Sequence, residues 1–131
     1  MQNRGSEDGQ TTEPRVAQVL SVTTPDGHDA LLWNTHLSAV SDNSWRARQA
    51  DAIASFLESR AAPAEAVIGG GDLNSRAGDD AVERFRAEGM DLGSAEIDWI
   101  AGLNASVQIT LHDEDGIQLS DHPLLVAGVK F

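Results

Sequence analysis

Ala66-Val67-Ile68-Gly69-Gly70-Gly71-Asp72-Leu73-Asn74 decides how the rest of the chain is read. A short apolar strand, Ala66 to Ile68, runs into three glycines, and the run ends on a carboxylate and an amide two positions apart. Glycine lets backbone approach a neighbouring group closely. In extended backbone, side chains two apart point to the same side, which would place Asp72 and Asn74 together. A carboxylate with an amide oxygen suits a hard cation such as Mg²⁺, or a phosphate oxygen. Taken alone, an Asp-x-Asn after glycines is most often a turn or a helix cap.

On the N-terminal side, Val16 to Val22 and Ala30 to Thr35 read as two strands. The Pro25-Asp26-Gly27 turn between them predicts a hairpin. Ser41, Asp42, Asn43 and Ser44 offer N-caps for a helix whose apolar positions Ala50, Ile53, Ala54 and Leu57 recur at helical spacing, with Pro63 beyond its end. On the C-terminal side, Asp79 or Asp80 caps a second helix carrying Val82 and Phe85, with Gly89 as its stop. Ile97 to Ile100, Val107 to Leu111 and Pro123 to Phe131 read as strands, the last two separated by the acidic turn Asp113-Glu114-Asp115-Gly116. The order predicts an α+β fold: one mixed, largely antiparallel β-sheet with helices on one face. Residues 1–14 are polar and read as a disordered tail, which leaves residues 15–131 as the folded domain.

Composition narrows the classes of function. The 131-residue chain has a net charge of −12, and its nine basic residues are eight Arg and one Lys. Broad electrostatic binding of nucleic acid needs a basic surface, so nucleic acid enters only as a substrate. No apolar run approaches the ~18 residues of a membrane span. The polar N-terminus lacks a signal-peptide core, and the compartment stays open. Without cysteine there is no disulfide, thiolate zinc site or thiol nucleophile. From Met90 to Phe131 there are seven acidic residues and one basic residue. Such a balance is either a generally acidic surface or a cluster of carboxylates that holds a cation.

Three further segments share the geometry of polar groups at the mouth of an apolar strand: Asn34-Thr35-His36-Leu37, Ile97-Asp98-Trp99-Ile100 and Ser120-Asp121-His122-Pro123. Strand ends are rigid, and the loops beyond them carry function. Asp98 is the oddest of these residues, because an acid within an apolar strand is costly unless it is paired. His36 alone reads as a surface or hydrogen-bonded histidine, and Asp121-His122 alone as a surface pair. His28 and His112 read as solvated turn residues.

In this order the four segments resemble the endonuclease/exonuclease/phosphatase (DNase I-like) superfamily, over roughly Arg15 to Phe131. The resemblance implies the C-terminal half of the domain, that is, half of a two-sheet αββα sandwich. It implies a phosphoesterase or phosphodiesterase in which His122 activates water and Asp98 fixes its ring. Asp72 would orient the nucleophile or bind metal, and Asn74 and His36 would bond the phosphoryl oxygens. The implied metal ligands are Asp72, Asn74 and Asp121, and the implied metal is Mg²⁺ or Mn²⁺. Arg46 and Arg76, near these segments, are the candidates to meet a substrate phosphate, against an ordinary reading as helix-surface and loop arginines.

Family members carry an early Asn and a metal-binding Glu in a first half that this chain lacks. Glu7 and Glu13 are the only glutamates near the start that could be proposed as substitutes, so the expected metal binding is weak. The competing expectation is an inactive fragment or interaction module that needs an N-terminal half or self-association. Runs such as Ala30-Leu31-Leu32-Trp33 suit a sheet buried on both faces. They predict either a homodimer packed sheet on sheet or a complex with a separate N-terminal half.

Overall fold

The hairpin read from Pro25-Asp26-Gly27 opens the structure, a computed structural model that describes residues 14–112 and 120–131. Strands β1 (Ala17–Thr23) and β2 (Asp29–His36) pair antiparallel. Gly27 takes φ +89° in the turn between them, and its N–H donates to the Thr24 carbonyl at 2.9 Å. Helix α1 (Asn43–Arg60) follows, capped by Asp42, whose carboxylate accepts from the Ser44 N–H at 2.8 Å. Strand β3 (Ala66–Asp72) runs parallel to β2, and helix α2 (Asp80–Ala87) ends before Gly89 at φ +86°.

Strand β4 (Asp91–Ala95) has no counterpart in the sequence reading. Asp-Leu-Gly-Ser-Ala lacks β-branched and aromatic residues, so its propensity is poor, and pairing with β5 (Asp98–Leu103) makes it a strand. The order across the five-stranded sheet is β1-β2-β3-β5-β4. The sheet is mixed and largely antiparallel, with β2 and β3 its parallel pair.

One sheet was expected, and here the reading needs amending. Strands β6 (Ser106–His112) and β7 (Leu124–Lys130) leave the sheet and form their own antiparallel ribbon. His112, read as a turn residue, closes β6. The acidic turn at 113–116 and the tail at 1–13 lie outside the described residues.

Alternation sorts the five-stranded sheet into two faces. Leu31, Trp33, Val67, Trp99 and Ala101 join Ala50, Ala54, Leu57, Val82 and Phe85 of the helices in one core. Trp33 stacks on Phe85 with ring centroids 5.1 Å apart. The registers that pair His36 with Asp72 and Asp72 with Asp98 place all three residues on the opposite face, at one end.

The ribbon lies on that opposite face. A Cβ on Gly93 would meet Ile109 Cγ1 at 2.2 Å, and one on Gly102 would meet Val107 Cγ2 at 2.8 Å. The Val107 N–H also donates to the Asp91 carboxylate at 2.9 Å. Val107, Ile109, Ala127 and Val129 share the inner side of the ribbon, while Ser106, Gln108, Thr110 and Lys130 share the outer with the exposed Leu124 and Val126. The chain therefore supplies part of its own second layer, which amends the expectation of a bare second face. Coverage stops short of β1, where Leu20, paired with Leu32, is 64% exposed. No helix among the described residues is long and apolar enough to cross a membrane.

Candidate active site

At the end of β3, Gly70 and Gly71 take φ +155° and +130°, values that L side chains rarely adopt. A Cβ on either would strike the carbonyl of a flanking strand, Trp99 or Thr35, so glycine lets three strands converge on Asp72. Asp72 is largely buried, with its side chain 16% exposed. Its Oδ1 accepts from the Asn74 N–H at 2.8 Å. Its Oδ2 lies 3.4 Å from His36 Nε2 and 3.9 Å from His122 Nε2. One carboxylate oxygen thus faces two imidazoles.

His122 enters from the segment leading into β7. Its backbone N–H donates to Ser120 Oγ at 3.1 Å, and its Nδ1 lies 2.6 Å from Asp98 Oδ2. Asp98, the acid inside an apolar strand, therefore has its partner 24 residues away in sequence. The hydrogen bond and charge of Asp98 hold the His122 pKa above the usual histidine value, with smaller help from the charges of Asp121 and Asp72. Bonding through Nδ1 fixes the tautomer and leaves Nε2 towards Asp72.

Asn74 departs from the same-side reading. The strand ends at Asp72, and Asn74 turns to φ +46°, with its Nδ2 donating to the Leu37 carbonyl at 2.9 Å. Trp99 was read only as a flanking residue, yet its indole N–H holds the Ser75 carbonyl at 2.8 Å and so fixes the loop beyond Asn74.

Asp121 sits at the rim, 93% exposed, with Oδ1 3.9 Å from His122 Nε2. Arg76 is on the exposed loop after Asn74, where its backbone N–H bonds Asp79. Arg46 is not brought to the site. It is 7% exposed, and its guanidinium donates to the carbonyls of Ser38 and Val40 and to Asn43 Oδ1. A guanidinium spent on loop carbonyls has no face for a phosphate, which corrects the reading of Arg46 as a phosphate contact.

Asp72, Asp98 and His122 offer ligand atoms that all lie within 4.8 Å of one another. With His122 Nδ1 and Asp98 Oδ2 bonded to each other, the oxygens open to a hard cation are those of Asp72, Asp121, the Asn74 amide and the second oxygen of Asp98. These donors fit Mg²⁺ or Mn²⁺ in kind.

No protein-family model and no curated protein sequence matches the chain. Solved structures do. The catalytic domain of human Nocturnin, with bound sulfate, matches 91% of this chain and 54% of its own at 18% identity, with a TM-score of 0.77. An endonuclease/exonuclease/phosphatase family protein from Bacteroides thetaiotaomicron matches 98% of this chain and 59% of its own at 16% identity, with a TM-score of 0.70. Beta toxin from Staphylococcus aureus, with bound magnesium ions, matches 87% and 54% at 15% identity, with a TM-score of 0.54. The fold is that of the endonuclease/exonuclease/phosphatase proteins, and the chain spans a little over half the length of each.

Proposed function

We propose that this chain carries the water-activating part of a metal-dependent phosphoesterase. The observation that carries the reading is the 2.6 Å contact between His122 Nδ1 and Asp98, with the far nitrogen of the same ring facing Asp72. A pairing of that kind gives a histidine a fixed tautomer and a raised basicity, which general-base chemistry requires. His122 Nε2 takes a proton from water as the oxygen attacks phosphorus and the ester oxygen leaves. Asp98 stabilises the imidazolium that results. Asp72 orients the water between the two histidines, and His36 faces the phosphoryl oxygens as charge grows on them. Asp72, Asp121 and the Asn74 amide oxygen would hold Mg²⁺ or Mn²⁺, weakly and with waters in its sphere. Such an ion, when bound, polarises the phosphoryl group. The sulfate in one similar structure and the magnesium in another support an oxyanion and a hard cation as ligands of this fold.

A second reading has its own observation. The strip containing Leu20, at 64% exposure, and Leu32, at 38%, stays uncovered, and the similar structures are longer. The second layer would then be completed by an N-terminal half or by a second copy, and hydrolysis would require that completion.

Hydrolysis of a generic phosphodiester with and without Mn²⁺, using Asp72→Ala and His122→Ala as controls, separates the two. Metal-dependent turnover lost in both variants supports the first. A chain inert until an N-terminal half is added supports the second. Turnover unchanged in His122→Ala sinks the mechanism.

A further inference from the structure

We infer that Gln49, with Arg46 one helical turn before it, is a positioning residue that sets which end of the Asn74 amide faces the site. The inference rests on the hydrolytic reading for its consequence but not for its geometry.

Ser38 is 2% exposed, and α1 satisfies each of its polar atoms. Its N–H donates to Gln49 Oε1 at 3.0 Å, its Oγ accepts from Gln49 Nε2 at 2.8 Å, and its carbonyl accepts from Arg46 Nη1 at 3.3 Å. Arg46 also holds Val40 and Asn43, so the segment after His36 is fastened along its length to the helix that follows it.

Leu37, one residue earlier, faces the other way. Its N–H donates to the Asp72 carbonyl at 2.9 Å, and its carbonyl accepts from Asn74 Nδ2 at 2.9 Å. The segment is thus a bridge from α1 to the end of β3. Rotating the Asn74 amide by half a turn would set its oxygen against the Leu37 carbonyl oxygen, a repulsive contact. While the Leu37 carbonyl stays in place, Oδ1 is kept on the far side, available to a cation. Gln49 suits the task because one short side chain offers both an acceptor and a donor. Neither Arg nor Lys supplies the acceptor.

The test reads the Asn74 side-chain amide by NMR, with its signals identified by their loss in Asn74→Ala. In Gln49→Ala, hydrogen exchange of that amide should accelerate roughly five- to tenfold, the worth of one lost hydrogen bond. Gln49→Glu should restore the protection, since a carboxylate accepts from the Ser38 N–H and from a turned Ser38 hydroxyl. In the hydrolysis assay, Gln49→Ala should lower kcat on the order of ten- to a hundredfold with KM little changed. Should Gln49→Ala fail to fold, Ser38→Ala removes the hydroxyl contact alone and carries the same expectation in milder form. Unchanged Asn74 exchange in a folded variant, whatever its melting temperature, overturns the inference. A wild-type chain that hydrolyses nothing counts against the hydrolytic reading instead, and the exchange measurement still decides the clamp.

Discussion

His122 is the residue on which pH acts. Its raised pKa keeps the ring protonated to higher pH than an ordinary histidine. A general base must be neutral, so hydrolysis should climb as pH rises through that raised value and fade below it. Asp98 is the first cause of the shift, and Asp98→Asn should move the His122 titration back down towards the ordinary 6.5. NMR titration of the metal-free chain checks this, and an unmoved titration would separate Asp98 from the ring. The same variant should lower kcat by roughly 10²- to 10⁴-fold, because the freed ring loses its orientation and basicity. The linkage to stability has a definite sign. Protonated His122 is favoured in the folded state, so its contribution is full below the unfolded value near 6.5 and is lost as pH rises through the higher folded value.

Among the elements, the β6–β7 ribbon carries the consequence, because it delivers His122 to a site built otherwise on β2, β3 and β5. It docks where Gly93 leaves room for Ile109. Gly93→Ala would force Ile109 aside at a cost of about 1–3 kcal/mol and loosen the ribbon. The expected outcome is a lower melting temperature together with a His122 pKa closer to the ordinary value, as the ring leaves Asp98. Adding Ile109→Ala should recover part of the loss, since the two residues share one contact. A double variant whose losses simply add would show that the ribbon docks by other means.

For the molecule as a whole, the strip around Leu20 and Leu32 is the place to test association. On the second reading of function, the isolated chain should sediment above its 13.9 kDa monomer at micromolar concentration. Leu20→Glu with Leu32→Glu should return it to the monomer without unfolding, because both side chains lie outside the helix-side core. A stable monomer in the parent chain would count against closure by a second copy and leave an N-terminal half as the completing layer.

Much of this was legible in the chain itself, because it depends on local chemistry. The Pro25-Asp26-Gly27 turn and the apolar spacing from Ala50 to Leu57 follow from neighbours in sequence and lie where they were read, and the cap is Asp42, one of four candidates from Ser41 to Ser44. Polar groups at the mouths of apolar strands likewise marked His36, Asp72, Asp98 and His122 as candidates. Strand β4 was hidden because Asp-Leu-Gly-Ser-Ala has little strand propensity of its own and depends on β5 for its pairing. The departure of β6 and β7 from the main sheet was hidden because a strand's alternation states which side is apolar and not which surface it will cover. Arg46 shows the same limit at one residue. Its position near Thr35-His36-Leu37 suggested a phosphate, and only the folded loop, closing its carbonyls over the guanidinium, decided that this charge would serve structure. Sequence determined the kinds of groups and the local elements, whose causes lie within a few residues. Tertiary structure alone decided which groups meet, because the 2.6 Å contact of Asp98 with His122 joins residues 24 apart through a ribbon seated on the missing side chains of two glycines.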